Sequence, residues 1–177
     1  NLYKLFLFAV TLLSMTCSLI VGTDNLGTIG KGGIIPWSCP KDMNWFRMHT
    51  LGKVCLAGKK TYQSLQPNGL KNRQVVEVKR FDDVVPNPQR DVQFWLKLAK
   101  KHQESLIDDP NILPFVLMPE TMIIGGAVIY DLFLPCVDRI YLTTIDTVIP
   151  GEESELVKFK VPDWNDWEPI YKALDHD

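Results

Sequence analysis

Three short apolar runs in this chain each end on glycine: Ser18–Val21 before Gly22, Val54–Ala57 before Gly58, and Met122–Ile124 before Gly125-Gly126. A short apolar run closed by a turn residue reads as a strand buried on both faces. After Gly58 and after Gly126 the sequence turns at once to helix-forming residues. Buried strands that alternate with helices imply an α/β domain with a central, mostly parallel sheet flanked by helices. In such sheets ligands bind beyond the carboxyl ends of the strands. Three glycine-bearing strand ends therefore point to a nucleotide-type site at one rim.

The remaining elements fit that plan. Pro40 suits the first position of a helix, in which Asp42, Trp45, Phe46 and His49 share one face. Helices are predicted from about Lys59 to Leu65 and from Ala127 to Leu134, and strands over Gln74–Lys79, Val137–Ile145 and Asp166–Tyr171. Residues 81–119 are less regular and hold five prolines and one amphipathic segment, Val92–Ser105. Gly27, Gly30, Gly32 and Gly33 mark a loop with unusual backbone angles.

Composition narrows the function classes. At 177 residues the chain has the size of one domain, and a net charge of -2 provides no global field for nucleic acid. Cys17, Cys39, Cys55 and Cys136 form no C-x-x-C pair, which argues against zinc and redox sites and fits a reducing compartment. No metal is expected. The apolar stretch from Leu5 to Gly22 approaches the roughly 20 residues that cross a bilayer, and it also resembles a secretory signal. The competing reading divides it into an extension, residues 1–17, and a buried first strand that opens a domain over 18–177.

Several residues could carry chemistry. Asp42 lies one turn into its helix, beside Met43 and Phe46 and after Ile35-Pro36-Trp37. A carboxylate against an aromatic and aliphatic wall can hold a proton and deliver it, or anchor a protonatable heterocycle. The plainer reading is an acid that offsets the helix dipole. Gly58-Lys59-Lys60-Thr61 and Gly125-Gly126-Ala127 both pass from strand to helix, where free backbone N–H groups attract phosphate. A solvated lysine pair and an ordinary tight turn are the plainer readings. Arg73 and Lys79-Arg80 flank one strand. Arginine suits a planar carboxylate and a lysine–arginine pair suits a phosphate, although surface charge would look the same.

Taken in order, these pieces resemble the dihydrofolate reductase family. The match comprises Ser18-Leu19-Ile20-Val21, Ile29-Gly30, the P-W-x-x-P-x-D-x-x-W-F run from Pro36 to Phe46, G-x-x-T from Gly58 to Thr61, I-G-G at Ile124–Gly126 with Tyr130 and Phe133-Leu134-Pro135, and Ile140–Ile145. The combination is specific although no single element is. It covers roughly residues 18–152 and fits a divergent, phage-type member. The resemblance implies NADPH-dependent reduction of dihydrofolate to tetrahydrofolate, with Asp42, Trp37 and Thr143 as the catalytic set. Asp42 would hydrogen-bond the pterin ring and promote protonation of its N5, with Thr143 in support. Ile20, Val21, Ile35, Met43, Phe46, Leu65, Ile124 and Tyr130 would line the substrate pocket, and Arg73 would pair with the glutamate tail. The cofactor would lie against Val21, Ile29, Gly30, Lys59, Lys60, Thr61, Lys79, Arg80, Gly125, Gly126, Ala127 and Val128. The loop from Gly30 to Trp37 would close over the nicotinamide. A monomer in the cytoplasm is implied, since an exported reductase would meet little NADPH.

The chain departs from the family pattern in places. Lys31-Gly32-Gly33 is richer in glycine, Val128 replaces a cofactor-side arginine found in some members, Glu152 stands where aspartate is common, 81–119 is long, and the last edge strand of the sheet is expected to be missing. Three other readings follow: a related pteridine or pyrimidine reductase, a reductase-like domain turned binding or structural component, and a membrane-anchored or exported protein.

Overall fold

A computed structural model describes residues 16–79, 88–106 and 120–174. Its main sheet has five strands: β1 (Thr16–Thr23), β3 (Val54–Gly58), β4 (Gln74–Val78), β5 (Glu120–Gly125) and β6 (Arg139–Thr144). Their spatial order is β4-β3-β5-β1-β6, and every neighbouring pair runs parallel. β3 and β5 are buried along their whole length, as the continuous apolar runs require of strands covered on both faces. β2 (Thr28–Lys31) and β7 (Leu156–Lys158) form a separate antiparallel ribbon.

Among the described residues, four α-helices cover the sheet. α1 (Pro40–Thr50) and α2 (Lys59–Ser64) lie over one face, where Trp45, Phe46, Tyr62 and Leu65 pack on Ile20, Cys55, Ala57, Met122 and Ile124. α3 (Pro88–Leu106) and α4 (Ala127–Phe133) cover the other, where Val92, Trp95, Ala99, Ile129 and Phe133 pack on Leu19, Val21, Leu56 and Ile123. The alternation along β1 divides its side chains between the two cores, with Leu19 and Val21 on one side and Ile20 on the other. α3 accounts for the amphipathic segment expected over Val92–Ser105 and begins earlier.

Below the α1 face, at the amino ends of the strands, Glu120 is buried in a polar cluster. Ser18 Oγ and Lys53 Nζ donate to its two oxygens, and Tyr141 Oη donates to Oε1 at 3.2 Å. Burial opposes the charge of Glu120. The bonds from Lys53 and Ser18 prevail and hold its pKa below the usual carboxylate value.

One expected element is absent. Asp166–Tyr171 forms no strand: Trp164–Asp166 is a single 3-10 turn capped by Asp163, whose Oδ1 accepts from Asn165 N at 3.0 Å, and extended chain follows. The aromatic and branched residues Trp167, Ile170 and Tyr171 suit a strand in type, yet Ile170 is 81% exposed. The sheet accordingly ends on β6, and among the described residues no strand follows β7. Also among the described residues, no helix is long and apolar enough to cross a membrane, and no group of His, Cys, Asp or Glu is placed to hold a metal ion.

Candidate active site

Because the sheet is parallel, the carboxyl ends of β1, β3, β5 and β6 lie along one rim. At its centre is Gly22, in register with Thr143 on β6. A Cβ built on Gly22 would meet Asp42 Oδ2 at 3.1 Å. The absence of a side chain there is what lets the carboxylate of α1 lie against the central strand. Asp42 and Thr143, about 100 residues apart in sequence, thus flank the same glycine.

Asp42 also lines an open hollow of about 290 Å³ with Ile35, Trp37, Ser38, Cys39, Pro40 and Met43. Ile35 is 60% and Met43 58% exposed. Exposed apolar side chains gathered around a single carboxylate are the usual make-up of a small-molecule site. Ile20, Phe46, Leu65 and Ile124 share the apolar cluster between the sheet and helices α1 and α2. Tyr130 is fully buried and donates its hydroxyl to the Ile20 carbonyl at 2.8 Å. Burial, and then the negative charge of Asp42, push its pKa up, so it stays a neutral donor.

A second feature lies beside the first. β3 and β5 are neighbours with Ala57 opposite Gly125, so the turns at Gly58 and Gly125-Gly126 lie side by side. A Cβ on Gly58 would come within 2.7 Å of Ile129 Cγ1, and one on Gly125 within 2.9 Å of the Tyr130 ring. Gly125 has φ +104, and a cis peptide joins it to Gly126. Gly126 differs, since its Cβ would meet only Thr61 Oγ1, at 3.5 Å. Two helix starts and the Thr61 hydroxyl therefore frame a cradle that a side chain at 126 would partly fill. Lys59 and Lys60, at the start of α2, are exposed. An elongated anion fits this donor set, with backbone N–H groups and a hydroxyl close to it and ammonium groups outside.

Arg73 stands at the far end of α1. Its Nη1 donates to Thr50 Oγ1 at 3.1 Å and its Nε to the Lys71 carbonyl at 3.0 Å. Partial burial lowers its pKa, Cys55 opposes that, and the charge of Arg47 adds to it; the guanidinium remains a cation.

Other expected residues lie less centrally. The side chain of Val21 is packed in the core on the α4 side, leaving only its backbone for a ligand. Val128 and Lys79 are exposed. Ile29 packs partly against the core, and a Cβ on Gly30 would meet the Ile34 carbonyl at 3.4 Å. Ala127 opens α4. Arg80 lies outside the described residues. Sequence reasoning placed Gly22 at a strand end of the rim but gave it no role beside Asp42. It also missed Ser38, Cys39 and Pro40, which line the hollow between two residues that were identified.

A sequence profile of the family described as "Dihydrofolate reductase" matches residues 16–176. The chain is 33% identical over 156 residues to the dihydrofolate reductase of Haemophilus influenzae, which covers 87% of this chain and 84% of that protein. It is 36% identical over 138 residues to dihydrofolate reductase type 3 of Salmonella typhimurium, with 78% and 76% covered. Among solved structures, dihydrofolate reductase from Enterococcus faecalis complexed with NADP(H) and RAB-propyl superposes with a TM-score of 0.66 at 24% identity, covering 90% of this chain and 88% of that one. With a carboxylate at the rim of a parallel sheet, a glycine cradle beside it and a profile that spans nearly the whole chain, the protein belongs to the dihydrofolate reductase family.

Proposed function

We propose that this chain reduces 7,8-dihydrofolate to 5,6,7,8-tetrahydrofolate with NADPH, and that Asp42 governs the proton in that reaction. The observation that carries the reading is the placement of the Asp42 carboxylate against Gly22, at the carboxyl end of the central strand and open to an apolar hollow. NADPH, when bound, supplies the hydride. Asp42 accepts hydrogen bonds from the pterin ring and favours protonation at N5, with a water as carrier. Thr143, across Gly22, supports Asp42 and the pterin amino group. Ile20, Phe46, Leu65 and Ile124 form the apolar wall, and Trp37 and Ile35 exclude water from one side. Arg73 holds the carboxylate of the glutamate tail with its forked donors.

The cradle of Gly58, Thr61, Gly125 and Gly126 holds the pyrophosphate, and Lys59 and Lys60 add charge for the remaining phosphate. Ala127 extends the cradle through its backbone. Val21, Ile29 and Gly30 contribute backbone beside the nicotinamide. The reading extends to a monomer that acts in the cytoplasm, where NADPH is available, with the residues before β1 an extension to the reductase domain.

Asp42→Asn tests the assignment, because it keeps the shape and removes the ionisable group. Hydride transfer should slow by at least the roughly 100-fold typical of lost acid–base help, and by less at low pH, where solvent can protonate the substrate. The melting temperature should not fall, because the amide avoids part of the cost of desolvating a carboxylate. A strongly destabilised variant with near-normal turnover would make Asp42 a helix-start residue and refute the mechanism.

A further inference from the structure

At the same rim, Asp24 is 1% exposed, yet it belongs to none of the contacts so far assigned to catalysis. Its Oδ1 accepts from Leu26 N at 2.9 Å and from Thr28 N at 2.7 Å, and its Oδ2 accepts from Ile149 N at 2.9 Å. The first two bonds shape the turn between β1 and β2. The third reaches a separate segment that follows β6. A second tie joins the same two segments: Asn25 N donates to the Thr147 carbonyl at 3.0 Å, and Asn25 Nδ2 to Asp146 Oδ1 at 2.9 Å. Beyond Thr28 the chain has little slack before the site. β2 is held by β7, Lys31 and Ile34 exchange backbone bonds at 3.0 and 3.2 Å, and Ile35 and Trp37 then line the hollow beside Asp42.

We propose that Asp24 is a positioning residue for hydride transfer, whose carboxylate clasps the root of the 24–37 segment to the 145–149 loop and thereby sets where Ile35 and Trp37 stand over the reacting atoms. The inference rests on the reading of Asp42 and Trp37 given above. A carboxylate is the side chain of this size that accepts on both oxygens at once. An amide can satisfy Leu26 and Thr28 or it can satisfy Ile149, but it turns its own N–H toward whichever remains. Consistent with this demand, the bonds from Ile149 and Thr28 overcome the cost of burial and hold the pKa of Asp24 below the usual carboxylate value.

The test compares the full chain with Asp24→Asn by single-turnover hydride transfer, by KM for dihydrofolate, and by amide hydrogen exchange over residues 29–37. Hydride transfer should fall, and exchange rise, by about the tenfold that one lost charge-assisted hydrogen bond is worth, with KM for dihydrofolate little changed. Should Asp24→Asn fail to fold, the exposed pair provides the decision: Asn25→Ala and Asp146→Ala should each slow hydride transfer in the same direction, less strongly and without additivity. Unchanged hydride transfer in the folded variants, with or without faster exchange, overturns the clasp while leaving the site intact. An unsubstituted chain that does not reduce dihydrofolate overturns the reading of the site, and this inference with it.

Discussion

Replacing Gly125 and Gly126 by alanine, one at a time, separates what the backbone needs from what a ligand needs. At Gly125 a side chain would be held at φ +104, a conformation that costs an L-residue about 1–3 kcal/mol. Its Cβ would also lie 2.9 Å from the Tyr130 ring, which the bond to the Ile20 carbonyl prevents from swinging aside. Such overpacking adds about 1–3 kcal/mol. A total on the order of 3 kcal/mol corresponds to roughly 10 °C in melting temperature for a domain of this size. At Gly126 the backbone has φ -78 and the new Cβ makes an ordinary contact with Thr61. Stability should therefore hold, or rise by a few tenths to about 1 kcal/mol as the unfolded chain loses freedom. The cost should fall instead on the cofactor. A methyl group in the cradle would cost one backbone bond to a charged phosphate, about 1.5–3 kcal/mol, or roughly 10- to 150-fold in NADPH affinity. Thermal melts and NADPH titration by fluorescence read the two quantities independently. If Gly126→Ala binds NADPH within about twofold of the parent, at the level where binding energies lose meaning, the cradle does not hold the pyrophosphate.

Two further substitutions probe other parts of the molecule. Arg73→Lys keeps the charge and removes the fork, so KM for dihydrofolate should rise by about tenfold, the scale of one charge-assisted hydrogen bond, while NADPH binding is unchanged; an unaltered KM would make Arg73 a surface charge and favour a substrate without a glutamate tail. Glu120→Gln should destabilise the fold by about 3 kcal/mol at neutral pH, because it leaves the Lys53 ammonium without its buried partner. The folded pKa of Glu120 is depressed, so its contribution is fully present above the unfolded value of about 4.5 and is lost as pH falls through the folded one. Urea melts from pH 7 to 3 should accordingly show the parent losing stability below about pH 4.5 more steeply than the variant, and parallel curves would refute the assignment.

What could be read from the sequence was what short stretches determine by themselves. Gly58 and Gly125-Gly126 announce strand-to-helix turns because the apolar run, the glycine and the helix formers are contiguous, and the amphipathic period of Val92–Ser105 gives α3 for the same reason. Asp42 stood out through its aromatic neighbours on α1. Features made by distant pieces were hidden. The partner of Asp24 is the backbone of Ile149, and an N–H group carries no mark in a sequence. The side chain of Val21 falls on the far side of the sheet because it alternates with Ile20, a consequence of the strand's orientation that contiguity does not reveal. Over 166–171 the residue types suit a strand, but among the described residues no strand pairs with that segment.

The middle of the sheet is occupied by a strand that must wait for its neighbours. β1 is synthesised before the other described elements, and it pairs with β5 and β6, which come much later; Ser18 and Glu120, joined across that seam, are 102 residues apart in the chain. Closing so long a loop costs entropy before any contact repays it, which makes folding slow. A nascent chain halted before β6 would present a bare, apolar strand edge, the kind of surface that aggregates. Gly22 and Thr143 meet only when that last pairing forms, so a ligand held between Asp42 and Thr143 recognises the finished sheet and no precursor of it. At one hundred times its dissociation constant such a ligand adds about 2.7 kcal/mol to the stability of the whole fold, and in a cell short of cofactor or substrate the same linkage would leave more of this protein exposed to proteolysis.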